Sequence, residues 1–132
     1  MTFLDSSVII DYLDDAPSIV SYVDEETSAP YFTSAICVYE VLMGPVKSNE
    51  TTSLHDERER FGWIRSLDLN ESIALEANRI QDRLTDDGSQ MPARDVLIAA
   101  TARSTGDELV VADGDFATDR LRPFLDVVQL AE

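Results

Sequence analysis

The carboxylates of Asp5, Glu40, Asp95 and Asp113 are set against apolar sequence, where an ionised group is costly. In "QMPARDVLIAATARS", Asp95 heads a run that is apolar from Val96 to Ala102 apart from Thr101. Pro92 suits the first turn of a helix, because its missing N–H is not needed there. Three- and four-residue spacing puts Asp95 on one face with Ile98, Ala99 and Ala102, so its carboxylate points toward the protein. The ordinary reading is an acid complementing the helix dipole, an interaction of about 0.3–1 kcal/mol. In "SAICVYEVLMG", Glu40 shares a helical stripe with Ile36, Cys37 and Met43. A lone carboxylate on such a surface protonates or acquires a partner; an arginine, or a helix edge at the surface, is the ordinary resolution. Asp5 directly follows "TFL" and Asp113 directly follows "LVVA", each at the carboxyl end of an apolar strand, where aspartate serves equally as a cap or as a site residue.

Weighed together, the four positions suggest more than four caps. Carboxylates brought together repel and cannot all stay ionised without compensation. A divalent cation supplies it, and oxygen-only ligands favour Mg²⁺ or Mn²⁺. One cysteine, Cys37, and one histidine, His55, exclude both an internal disulfide and a Cys/His zinc cluster. Cys37 reads as a core residue and His55 as a surface one.

The elements that must position these acids follow from punctuation and periodicity. "TFLD" reads as a first strand, and "SSVIIDYLD" as a helix that the serines can cap. A weaker helix spans residues 18–25, and "APYFTS" is extended. The Glu40 helix is expected to stop at Gly44 and Pro45. A charged helix carrying Arg58 and Arg60 is expected over residues 54–64, with Arg65 at its end and a strand in "SLDL". "NESIALEANRIQDRLTDDG" is the clearest amphipathic helix, with Asn70 as cap, a stripe of Ile73, Ala77, Ile80 and Leu84, and Gly88 as stop. The Asp95 helix follows, then a strand in "DELVVADGDF" that runs into a turn, and a last strand in "VVQL". Alternating strands and helices predict an α/β fold: a central, mostly parallel sheet covered by helices on both faces. In such sheets the active crevice lies outside the carboxyl ends of the strands.

At 132 residues and 44% hydrophobic, the chain predicts one domain with a full core. It has no apolar run long enough for a membrane span and no basic region of a signal peptide, so a cytoplasmic protein is expected. The balance of 26 acidic against 10 basic residues gives a net charge of −16, and Lys47 is the only lysine. With a full apolar complement, this is adaptation to high salt rather than disorder; in molar salt the Debye length is about 3 Å and self-repulsion is screened. An acidic mimic of nucleic acid would instead concentrate its acids on one surface.

The segments "FLDSSVIIDYL", "SAICVYEVLMG", "ARDVLIAATA" and "LVVADGDF" resemble, in that order, the motifs of the PIN-domain nucleases, most closely the VapC toxins of toxin–antitoxin pairs. The resemblance spans nearly the whole chain and implies a three-layer α/β/α domain. It maps the family's acidic positions onto Asp5, Glu40, Asp95 and Asp113, adds Asp115 as a further acid near the site, and matches Ser6 to a hydroxyl-bearing position. Ala112 departs from it, standing where relatives commonly have threonine, which removes a hydrogen bond near Asp113.

The activity implied is endoribonucleolytic cleavage of single-stranded RNA regions with Mg²⁺ or Mn²⁺, leaving 5′-phosphate and 3′-hydroxyl ends. A homodimer and a small inhibitory antitoxin are implied as partners. Two alternatives stay open: a PIN nuclease of RNA maturation without an antitoxin, and a non-enzymatic acidic binding protein whose acids only cap helices. RNA contact is electrostatically awkward at −16, and Arg94, beside Asp95, is a candidate for a phosphate contact.

Overall fold

The computed structural model describes residues 1–47, 53–86, 88, 90–106, 108–114, 116 and 118–130. In chain order the strands are β1 (Thr2–Leu4), β2 (Tyr31–Ser34), β3 (Ile64–Leu67), β4 (Glu108–Val111) and β5 (Val127–Gln129). The helices are α1 (Ser6–Leu13), α2 (Pro17–Glu26), α3 (Ala35–Lys47), α4 (Leu54–Glu59), α5 (Glu71–Asp86), α6 (Ala93–Thr105) and α7 (Thr118–Leu121). All strand pairings are parallel, in the order β3-β2-β1-β4-β5.

Period-two alternation sorts the strand residues into two cores. Phe3, Leu109 and Val111 face the cluster built on α5 and α6, with Ile80, Ile98 and Ala102 fully buried. Leu4 and Val110 face the cluster built on α1 and α2, with Val8, Ile9, Ile19 and Val23. Helix α3 gives Cys37 to the first cluster and Val41 to the second. The result is the expected three-layer arrangement, in which strands buried on both faces are apolar throughout.

Local chemistry explains where the elements stop, including where they depart from expectation. The α5 stripe is buried as predicted, Ile73 N–H donates to Asn70 Oδ1 at 3.0 Å, and Gly88 closes the helix at φ +69°. The cap of α1 is Asp5 rather than a serine. Helix α3 does not stop at Gly44 and Pro45 but runs to Lys47, with Pro45 inside it. A proline so close to a helix end disturbs only the final turn. The charged helix is shorter than expected: α4 ends at Glu59, and a turn through Phe61 to Trp63 leads directly into β3 at Ile64, two residues ahead of "SLDL". Arg65 therefore lies on a strand and not on the helix of Arg58. Pro92 occupies the cap position before α6 instead of its first turn, and a short helix, α7, stands between β4 and β5.

Candidate active site

The strand order makes the chain leave β1 toward β2 and β3 on one side, then cross to β4 and β5 on the other. The reversal falls between β1 and β4, and the crevice outside their carboxyl ends is where open α/β sheets bind ligands. Asp5 directly follows β1 and Asp113 lies two residues beyond β4, so both stand at that crevice. The first turn of α6 brings Asp95, and the middle of α3 brings Glu40. Asp5, Ser6, Ser7, Ile10, Glu40, Pro92, Arg94, Asp95 and Asp113 line one cleft of about 540 Å³. All four predicted acids are thus brought to one place, with Ser6 beside them; Asp115 lies outside the described residues.

Arg94 organises three of the four. Its Nε donates to Glu40 Oε2 at 2.6 Å, Nη1 to Asp95 Oδ1 at 2.8 Å, and Nη2 to Glu40 Oε1 at 2.7 Å, Asp5 Oδ1 at 3.2 Å and Ser6 Oγ at 3.0 Å. The Glu40 contact is a two-nitrogen, two-oxygen fork, the strongest geometry for this ion pair. Ser6 Oγ in turn donates to Glu40 Oε1 at 2.9 Å. The arginine partner that the Glu40 stripe called for is therefore Arg94, 54 residues away in sequence. Nothing in the local pattern marks it, because neighbouring helical residues diverge by a large angle and only a long side chain can turn back to the acid beside it.

Ser7 is a residue the motif reading passed over. Its hydroxyl donates to Asp5 Oδ2 at 2.6 Å and accepts Ala112 N–H at 2.9 Å, tying the end of β1 to the end of β4. Ser7 N–H also donates to Asp5 Oδ2, at 3.2 Å. The aspartate–serine spacing of two residues, an Asx-turn pattern, is the signal that would have found it. Ala112, which lacks the threonine of relatives, joins this network through its backbone.

Burial and charge set the acid strengths. Burial pushes the Glu40 carboxyl up, but the Arg94 and Ser6 hydrogen bonds outweigh it and hold Glu40 below the usual range. Burial raises Asp95, the charges of Asp5 and Asp113 add to it, and Arg94 offsets only part, so Asp95 lies above its usual value. Arg94 is held more firmly protonated than a free arginine, chiefly by its bond to Glu40. Cys37, fully buried with Sγ 3.7 Å from Asp5 Oδ1, is pushed up to about 11 by burial and then by the Asp5 charge. It is a neutral thiol within the core. His55 is on the surface, beside Glu59.

The donor set fits a hard divalent cation: every ligand atom is oxygen, and three chain segments already converge on one positive charge. As the side chains stand, no three acidic, histidine or cysteine residues among those described are grouped closely enough to hold an ion, since the guanidinium lies between them. A second groove, of about 280 Å³, runs along α1, α3 and α4 and is lined by Leu13, Val41, Leu42 and Phe61 together with charged Asp14, Glu57 and Arg60; Ile10 lines both groove and cleft. No described helix is long and apolar enough to cross a membrane.

The fold is shared with solved structures. A toxin–antitoxin complex from Klebsiella pneumoniae superposes with a TM-score of 0.77 at 16% identity, over 98% of this chain and 97% of the other. VapBC2 from Rickettsia felis, bound to a promoter DNA fragment, gives 0.77 at 17% identity over 98% of each chain. FitAcB from Neisseria gonorrhoeae gives 0.77 at 24% identity, covering 98% and 97%. Comparison with curated protein sequences finds no match. The family model for the PIN domain matches residues 2–119, a span that contains every acid at the crevice, and on that match the chain belongs to the PIN-domain family.

Proposed function

We propose that this chain is a metal-dependent endoribonuclease cutting single-stranded RNA regions, the toxin of a type II toxin–antitoxin pair. The observation that carries the reading is the convergence of Asp5, Glu40 and Asp95 on one cation, with Asp113 beside them, at the strand-reversal crevice of a PIN domain. Asp5, Glu40 and Asp95 would hold Mg²⁺ or Mn²⁺, and Asp113 completes the acidic wall. When bound, the cation supplies charge neutralisation for the phosphodiester and makes a hydroxide-like nucleophile available near neutral pH. The protein's own part is positional. Glu40 and Asp95 border the cleft, where they can orient an attacking water and accept its proton. Ser7 fixes the rotamer of Asp5, and Ser6 that of Glu40. With Cys37 neutral and buried, hydrolysis by water is favoured over a covalent enzyme intermediate, in keeping with 5′-phosphate and 3′-hydroxyl products.

The toxin role is supported by fold likeness to a chain whose structure is described as a toxin–antitoxin complex. The groove that shares Ile10 with the cleft, apolar along Leu13, Val41, Leu42 and Phe61 and edged by charged Asp14, Glu57 and Arg60, suits an antitoxin segment lying along α1 and α3 and covering the site. The working protein is cytoplasmic, a homodimer and adapted to high salt. Expressing the chain in a host and mapping new RNA ends tests this. Single-stranded cuts with 5′-monophosphate ends, lost in Asp95→Asn, are the expected result, and their suppression by a small protein encoded next to this one would identify the antitoxin. Intact RNA in the presence of folded parent protein would contradict the nuclease reading.

A further inference from the structure

The oxygens that a divalent ion would need are already in use. Both Glu40 oxygens, Asp95 Oδ1 and Asp5 Oδ1 accept hydrogen bonds from Arg94. Guanidinium and metal would therefore compete for the same atoms. Formal charge gives the exchange its direction: three carboxylates and one guanidinium sum to −2, an excess that a divalent ion relieves better than a monovalent one. The exit is open as well. The Arg94 side chain is 31% exposed, roots in the first turn of α6, and borders a cleft of about 540 Å³ rather than the core.

Building on the metal site proposed above, we infer that Arg94 is a resident counter-ion that a divalent cation must displace. It holds the three carboxylates converged before the metal arrives, and it sets the metal affinity below what the acids alone would give. It is thus a positioning residue whose removal strengthens metal binding while weakening the metal-free fold.

Calorimetric titration of Mn²⁺ into chelator-treated protein in molar KCl tests this, because long-range charge effects are screened there to about 3 Å. Arg94→Gln is expected to bind Mn²⁺ about 5- to 150-fold more tightly than the parent, the usual span of coupling between two sites. Arg79→Gln, on the surface of α5, should bind as the parent does. The metal-free melting temperature of Arg94→Gln should fall below the parent's, and the gap should close at saturating Mn²⁺. If the parent binds and Arg94→Gln binds no tighter, the exchange is overturned while the metal site stands. If neither binds, both fail. Should Arg94→Gln not fold, the parent decides: its Arg94 Nε–H NMR signal, hydrogen-bonded to Glu40, should be protected without metal and become solvent-exchanging on adding Mg²⁺. A protected signal in the Mg²⁺-bound protein would overturn the inference.

Discussion

At the scale of single residues, the site is a set of acids whose ionised forms are differently tolerated. Glu40 is held below the usual carboxylate range, so its stabilising contribution is complete above the unfolded-state value and is lost as pH falls through its depressed one. Asp95 is raised, so its ionised form costs stability above that raised value and the cost disappears as pH falls through it. Urea midpoints in chelator between about pH 3 and pH 7 should therefore diverge in sign. Glu40→Gln should be weaker than the parent at neutral pH. Asp95→Asn, which keeps an oxygen acceptor for Arg94, should be as stable as the parent or more so. Both differences should shrink toward the acid end. Ser7→Ala leaves Asp5 Oδ2 and Ala112 N–H short of a buried partner and should cost about 1–3 kcal/mol by chemical denaturation. The acids themselves were legible in the sequence because each broke an apolar pattern. Arg94 breaks no pattern: its role comes from reach across the fold, and it is polar in a position where polarity is unremarkable, whereas Ser7 is marked only by its two-residue spacing from Asp5.

At the scale of elements, legibility follows the strength of the local signal. The α5 stripe, its Asn70 cap and its Gly88 stop agree with one another, and that helix appears as expected. Four of the strands are short apolar or β-branched runs between turn residues and lie where expected, whereas β3, Ile64–Leu67, mixes polar and apolar residues and begins two residues ahead of "SLDL". Some elements departed from the local cue. Pro45 did not end α3. The polar stretch after Ser53 gave way to β3 because Phe61 and Ile64, both fully or almost fully buried, anchor the turn in the α1 and α2 core. The α5 seam also yields a mutational expectation. Ile80→Ala removes a fully buried side chain from the α5 and α6 cluster and should cost about 2–5 kcal/mol in a denaturant titration, with site chemistry preserved in what stays folded.

At the scale of the molecule, a charge of −16 on 132 residues governs the conditions under which everything else is observed. Self-repulsion falls as salt rises, so the metal-free melting temperature should climb by at least about 5 °C between dilute buffer and molar KCl. A protein insensitive to KCl would remove the argument for salt adaptation. The same screening bears on substrate, since RNA approaching an acidic protein is repelled most at low ionic strength. The direct test of the central claim, that the crevice acids hold a metal to cut RNA, is cleavage of total cellular RNA in molar KCl with Mg²⁺ or Mn²⁺, parent against Asp95→Asn. Discrete cuts by the parent, abolished by chelator and at least about 100-fold slower in the folded variant, are predicted. Equal cleavage by both proteins, or cleavage that survives chelation, would contradict it.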